Sequence, residues 1–96
     1  MIMEIRNYVS ALPSFDSVVK AVKFNGDVHE LSQLLPSFEL LSATDGVMMA
    51  RINNNEFKVF DNDYIVISGN FAYSIDEDAF SMIYKPVDKE VTNEHD

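Results

Sequence analysis

From Phe38 onward the chain is cut into short runs by turns rich in Asn, Asp and Gly. "TDG" at 44–46, "NNN" at 53–55, "DND" at 61–63 and "GN" at 69–70 separate "FELLSA", "GVMMARI", "EFKVF", "YIVIS" and "FAYS". Such runs are too short for self-supporting helices, and their β-branched and aromatic content suits a pleated, half-buried surface. Turns of this chemistry accept the left-handed backbone that reverses a chain within two or three residues. Successive runs therefore read as hairpin-connected strands. In "EFKVF" the alternation is explicit: Phe57 and Val59 point one way, and Glu56, Lys58 and Phe60 the other.

The region before Phe38 has a different period. "SVVKAVKF" predicts a half-buried strand over 18–24, which Asn25-Gly26 ends. Asp27 is placed to cap a helix, with Glu30 three residues later as in a capping box. Val28, Leu31, Leu34 and Leu35 share one helical face, opposite His29, Glu30, Ser32 and Gln33, and Pro36 stops the helix after about two turns. A second capping pattern, Ser74 with Glu77, predicts one helical turn in "IDEDAF", and "SMIYKPV" then reads as a closing strand. Residues 1–17, broken by Pro13, read as an attached arm, and 88–96 as a polar, acidic tail that frays. The expectation is a single α+β domain over 18–87: a small, curled, mostly antiparallel sheet packed by one main helix.

Composition supports a core and narrows the chemistry. Hydrophobic residues make up 47% of the 96, including seven Phe and four Tyr. There is no Cys, which removes disulfides, zinc thiolates and thiol nucleophiles. No run of 18 apolar residues is present, and the first residues do not resemble a signal peptide, so a cytoplasmic protein without a membrane span is expected. Sixteen Asp or Glu against seven Lys or Arg give a formal charge of −9. A field of that sign opposes direct binding to nucleic acid or anionic lipid and favours a protein partner with a basic surface.

Several segments occur in an order that resembles a known family. "VVKAVKFNGD" (18–27), "DNDYIVISGNFAYSIDEDAF" (61–80) and "IYKPV" (83–87) together are similar to small uncharacterised phage and prophage proteins. Their outline is a "VEAVQF-G" strand, a "PGDYI" or "PGDWI" turn-strand, a Gly turn and a final F-x-x-x-Y-x-P-V. Ala21, Val22, Phe24 and Gly26 match the opening, Asp63, Tyr64, Ile65 and Val66 the turn-strand, Gly69 and Phe71 the next turn, and Phe80, Tyr84, Pro86 and Val87 the close. Asp61-Asn62 stands where the family has Pro-Gly, and the Cys often found near the second aromatic is missing. The resemblance implies a phage-type origin, a host-cytoplasmic setting and a shared fold. It transfers no catalytic residue. Tyr64 with Phe71 is expected as cross-strand packing, and Pro86 as an edge or strand-end residue.

No catalytic or cofactor constellation stands out. Asp61-Asn62-Asp63 begins like a calcium loop, but its sixth and twelfth positions are Val66 and Ala72 instead of Gly and Glu. His29 and His95 make a poor acid–base pair, and no hydroxyl lies in a nucleophile-elbow pattern. The sequence therefore predicts a protein that is not an enzyme and holds no metal or cofactor. The candidate partner-binding residues are Asp61, Asp63, Asp76, Glu77 and Asp78 for charge, with an exposed Tyr64 or Tyr73 as apolar anchor. Binding there would occlude or inhibit a host protein, with DNA mimicry as one version. Tyr8 and Phe15 of the arm are expected to dock within their own chain; in the rival expectation, a self-assembling structural or accessory phage protein, the arm and a sheet edge make a homodimer with those two rings as contacts.

Overall fold

A computed structural model describes residues 3–10 and 18–87. Among the described residues, eight strands and two helices follow one another as β1 (Arg6–Ser10), β2 (Val18–Lys23), α1 (Val28–Leu34), β3 (Phe38–Thr44), β4 (Val47–Ile52), β5 (Asn55–Phe60), β6 (Tyr64–Ser68), β7 (Phe71–Ile75), α2 (Glu77–Ile83) and β8 (Tyr84–Pro86). They form an α+β domain whose strands pair antiparallel throughout and pack against the helices. Two sheets are present, where one was expected. The larger has five strands in the order β7-β6-β2-β1-β8, and the smaller has three in the order β3-β4-β5.

The turns explain the smaller sheet. Asp45 and Gly46 have φ of 50° and 81°, and Asn53 and Asn54 have 52° and 69°. Both pairs are two-residue hairpin loops with left-handed backbone at each position, because Thr44 pairs with Val47 and Ile52 with Asn55. Between them β4 alternates: Met48, Ala50 and Ile52 are buried, while Val47, Met49 and Arg51 are only half-buried.

The five-stranded sheet is covered on both faces. On one, Val22, Phe24, Ile65 and Ala72 pack against Met48, Ala50, Ile52 and Val59 of the smaller sheet and against Leu31 and Leu35. On the other, Tyr8, Val19, Ala21 and Val66 surround Phe80 of α2. Adjacent residues Ile65 and Val66 are therefore both fully buried, on opposite faces. That double cover explains the broken alternation of "VVKAVKF" and the apolar run of "YIVIS".

Four sequence expectations are corrected. The described part of the arm is not an appendage: β1 lies inside the sheet between β2 and β8, and Met3 and Tyr8 are buried. The helix after Gly26 has the expected Asp27 cap, with Glu30 N–H donating to Asp27 Oδ1 at 3.0 Å. Glu30 does not return the bond, because its carboxylate accepts from Met3 N–H at 2.8 Å and so ties the N-terminal strand to α1. Ser74 does not cap α2. It lies in β7 with its hydroxyl on the Lys58 carbonyl, and Asp76 caps instead, accepting from Ala79 N–H at 3.2 Å. Finally, α2 runs on through Ile83, which shortens the closing strand to Tyr84–Pro86, an edge strand as the position of Pro86 suggested. Phe15 and the tail 88–96 lie outside the described residues.

Candidate partner-binding site

The acidic turn between β5 and β6 is rigidly built. Phe60 N–H donates to Asp63 Oδ2 and Asp63 N–H to the Phe60 carbonyl, both at 3.0 Å, so the carboxylate closes the loop that Asn62 enters with φ 74°. Asn62 N–H reaches the Phe24 carbonyl at 2.9 Å, and Phe24 N–H the Asp63 carbonyl at 2.8 Å. These two bonds fix the turn to the end of β2.

The second acidic segment sits at the same end of the sheet. Tyr64 pairs with Ile75, so Asp63 and Asp76 lie just past the last pair of one hairpin. Asp76 caps α2, and Glu77 and Asp78 occupy its first turn, where negative charge suits the helix dipole. Glu77 also holds Lys23 Nζ at 2.6 Å, which raises the lysine pKa mainly through that hydrogen bond. A third acidic segment joins this end. Thr44 pairs with Val47 and Val47 with Phe60, which sets the Asp45-Gly46 turn beside Asp61. A crevice of about 230 Å³ between the two turns has Asp45 and Asp61 among its lining residues, with Phe24, Val28 and Met48.

The candidate carboxylates thus divide by what they already do. Asp63 and Asp76 hold backbone, and Glu77 holds Lys23. Asp45, Asp61 and Asp78 are exposed and make no hydrogen bond or ion pair among the described residues. No three carboxylate or His side chains among the described residues are grouped to share a metal ion.

The two tyrosines are not exposed anchors. Tyr64 is half-buried and stacks on Phe80, with centroids 3.8 Å apart and planes at 6°, while Tyr8 meets Phe80 edge-on at 4.7 Å. The Tyr73 hydroxyl pairs with that of Tyr84 at 2.7 Å. Burial first, and then this hydrogen bond, push the Tyr73 phenol well above its ordinary range. Burial likewise raises Tyr8, which is a core residue and offers no free surface to a second chain. Tyr64 and Phe71 are not a cross-strand pair either: they occupy opposite ends of the β6–β7 hairpin, and Phe71 is 70% exposed.

The apolar group beside the acidic end is Phe60, 49% exposed and adjacent in sequence to Asp61. Its signal was present in the alternation of "EFKVF", which sets an aromatic ring on the polar side with Glu56 and Lys58. Asp45 had no comparable signal, since only the pairing of β4 with β5 brings it to Asp61.

A second crevice, of about 280 Å³, is lined by Arg6, Tyr8, Lys23, Asn25, Asn62 and Tyr64 among others. Its two cations are already held by carboxylates, Arg6 by Glu4 at 2.7 Å and Lys23 by Glu77 at 2.6 Å. An incoming anion would have to displace them. No protein-family model, no curated protein and no solved structure matches the chain. No helix among the described residues is long and apolar enough to cross a membrane.

Proposed function

We propose that this chain is a non-enzymatic binding protein that engages a basic surface of a protein partner through its acidic end. The observation that carries the reading is the placement of exposed carboxylates, unpaired among the described residues, near one end of the larger sheet: Asp45 and Asp61 line one crevice, and Asp78 lies in the first turn of α2, which follows the open end of the β6–β7 hairpin. Around them Asp63, Asp76 and Glu77 are fixed by backbone or lysine contacts, so the charge is presented on a rigid frame. Phe60 supplies an apolar contact at the rim. Carboxylates at an exposed rim mostly speed association and select the sign of the partner, whereas a buried aromatic carries more of the affinity. The phage-type resemblance adds a setting: a host cytoplasm, with a host protein as target and occlusion of its basic surface as the effect.

The test is capture from host lysate by the native protein, by an Asp61→Lys/Asp78→Lys variant and by a Glu4→Lys/Glu56→Lys variant of equal net charge. A protein retained by the native chain and the second variant, but lost by the first, supports the reading. Equal loss by both variants would reduce the effect to net charge and overturn it.

A further inference from the structure

The strand β8 stops before its neighbour does. It pairs with β1 as Ser10–Tyr84, Val9–Lys85 and Tyr8–Pro86, and the next pair in this register is Asn7 with Val87. That pair is already bonded, Val87 N–H donating to the Asn7 carbonyl at 3.1 Å. Met3 and Ile5 pack on the smaller-sheet side and Tyr8 on the α2 side, so the alternation of β1 reaches back to Met3. Backbone groups along a strand point to alternate edges, and Ile5 therefore directs its N–H and C=O to the same edge as Asn7. Neither group makes a hydrogen bond among the described residues. Beside them runs a groove of about 760 Å³ whose lining includes Met3, Ile5, Leu34 and Val87.

We propose that residues 88–91 of the same chain occupy this groove, carrying β8 on along β1 in the register that Val87 already holds. Position in the chain selects the occupant: Val87 lines the groove, and residue 88 is the next link. A tethered segment competes at a high effective concentration, ahead of any free strand. The register then assigns each residue. Lys89 meets Ile5 as a hydrogen-bonded pair that exchanges both backbone bonds. Asp88 falls opposite Arg6 on the same face, a second carboxylate for a guanidinium that Glu4 holds at 2.7 Å. One like-charge pair results, Glu90 with Glu4, and Arg6 offsets it, being bonded to Glu4 and diagonal to Glu90. Val91 comes beside Met3, on the face where Leu34 packs. Met3 N–H is already given to Glu30 Oε2 at 2.8 Å, so Lys89 with Ile5 is the last full pair.

Proline and charge fit the same placement. Pro86 stands between two hydrogen-bonded pairs of the ladder, so its missing N–H falls on the outer side and interrupts nothing. The lengthened strand, "YKPVDKE", carries Pro86, two Lys and two acidic residues, which are the guards of an edge strand. The sheet would thus end on a protected edge. The inference goes beyond the acidic-end reading and does not depend on it, because Asp45, Asp61 and Asp78 do not line this groove.

The test is amide hydrogen exchange on the full chain, read residue by residue at a low and a high protein concentration. The expected result is protection of the Ile5 and Lys89 amides above the unstructured rate, equal at both concentrations. Proline substitutions then read the register. Lys89→Pro removes the ladder's N–H and is expected to speed Ile5 exchange at least about tenfold. Asp88→Pro removes an N–H that faces away from β1 and is expected to leave Ile5 exchange within about twofold of native. Val91→Asp, which sets a charge beside Met3 and Leu34, is expected to act in the direction of Lys89→Pro without altering any backbone donor. Exchange of Ile5 and Lys89 at the unstructured rate in the native chain would overturn the proposal. So would equal effects of the two proline variants. Protection that rises with protein concentration would give the groove to a second copy, and would overturn it as well.

Discussion

The two sheets use the same local chemistry and end in different states. β6 of the larger sheet buries adjacent residues, Ile65 toward the smaller sheet and Val66 toward α2. β5 of the smaller sheet buries Val59 and exposes its neighbour Phe60. The difference lies in what covers the second face. α2 covers the larger sheet through the Tyr8, Tyr64, Phe80 and Tyr84 rings, whereas no described element lies over Phe60, Val47 and Met49. A doubly covered sheet is a stability element, and a singly covered one has a face and an edge left for contact. The proposed contact surface, the acidic end, includes parts of the smaller sheet, Asp45 and Phe60.

The largest expected effect tests the cover itself. Phe80→Ala removes the ring on which Tyr8 and Tyr64 converge and is expected to cost about 3–5 kcal/mol in chemical denaturation. A cost near that of a surface change would mean that α2 does not secure the second face.

A pair of neighbour comparisons comes next. Ile65→Ala and Val66→Ala are each expected to cost about 2–4 kcal/mol, since both residues are fully buried. In β5, Val59→Ala is expected to cost a similar amount, while Phe60→Ala stays within about 0.5 kcal/mol. A large cost for Phe60→Ala would show that its face is covered after all.

Smaller effects sharpen the frame of the site. Asp27→Ala and Asp76→Ala each remove an N-cap bond and are expected to cost about 1 kcal/mol, with the Asn variants close to native. The alkaline limb adds a check on the second face. Tyr73 holds its proton more tightly folded than unfolded, so its contribution is complete below the unfolded tyrosine range near pH 10 and is lost as pH rises above it. Tyr73→Phe is expected to flatten that fall in stability, measured by denaturation at stepped pH. An unchanged slope would remove the Tyr73–Tyr84 contact from the account.

How much of this could be read from the residues follows the same division. Local signals were legible: the Asx and Gly turns, the Asp27 cap and the alternation of "EFKVF" each depend on neighbours in sequence. Whatever depended on a distant partner was not. Ser74 looked like a cap because Lys58, whose carbonyl it binds, is sixteen residues away. "RNYVS" looked like an arm because its partners are β2 and β8, the last of them at the far end of the chain. Tyr64 and Tyr73 looked exposed because nothing local announced that α2 would fold over them. At the site, the charge was legible, but its apolar neighbour was displaced from the tyrosines to Phe60, and Asp45 entered only through strand pairing.

The central claim is that binding is confined to the acidic end. It is tested most directly by following backbone amide resonances while the native protein is titrated with a short arginine-rich peptide. The expected result is saturable shifts concentrated at 45–46, 60–63 and 76–78, weakening with salt but keeping that pattern. Shifts spread equally over the ion-paired carboxylates Glu4, Glu39 and Glu56 would contradict it, and would show that the protein offers only diffuse negative charge.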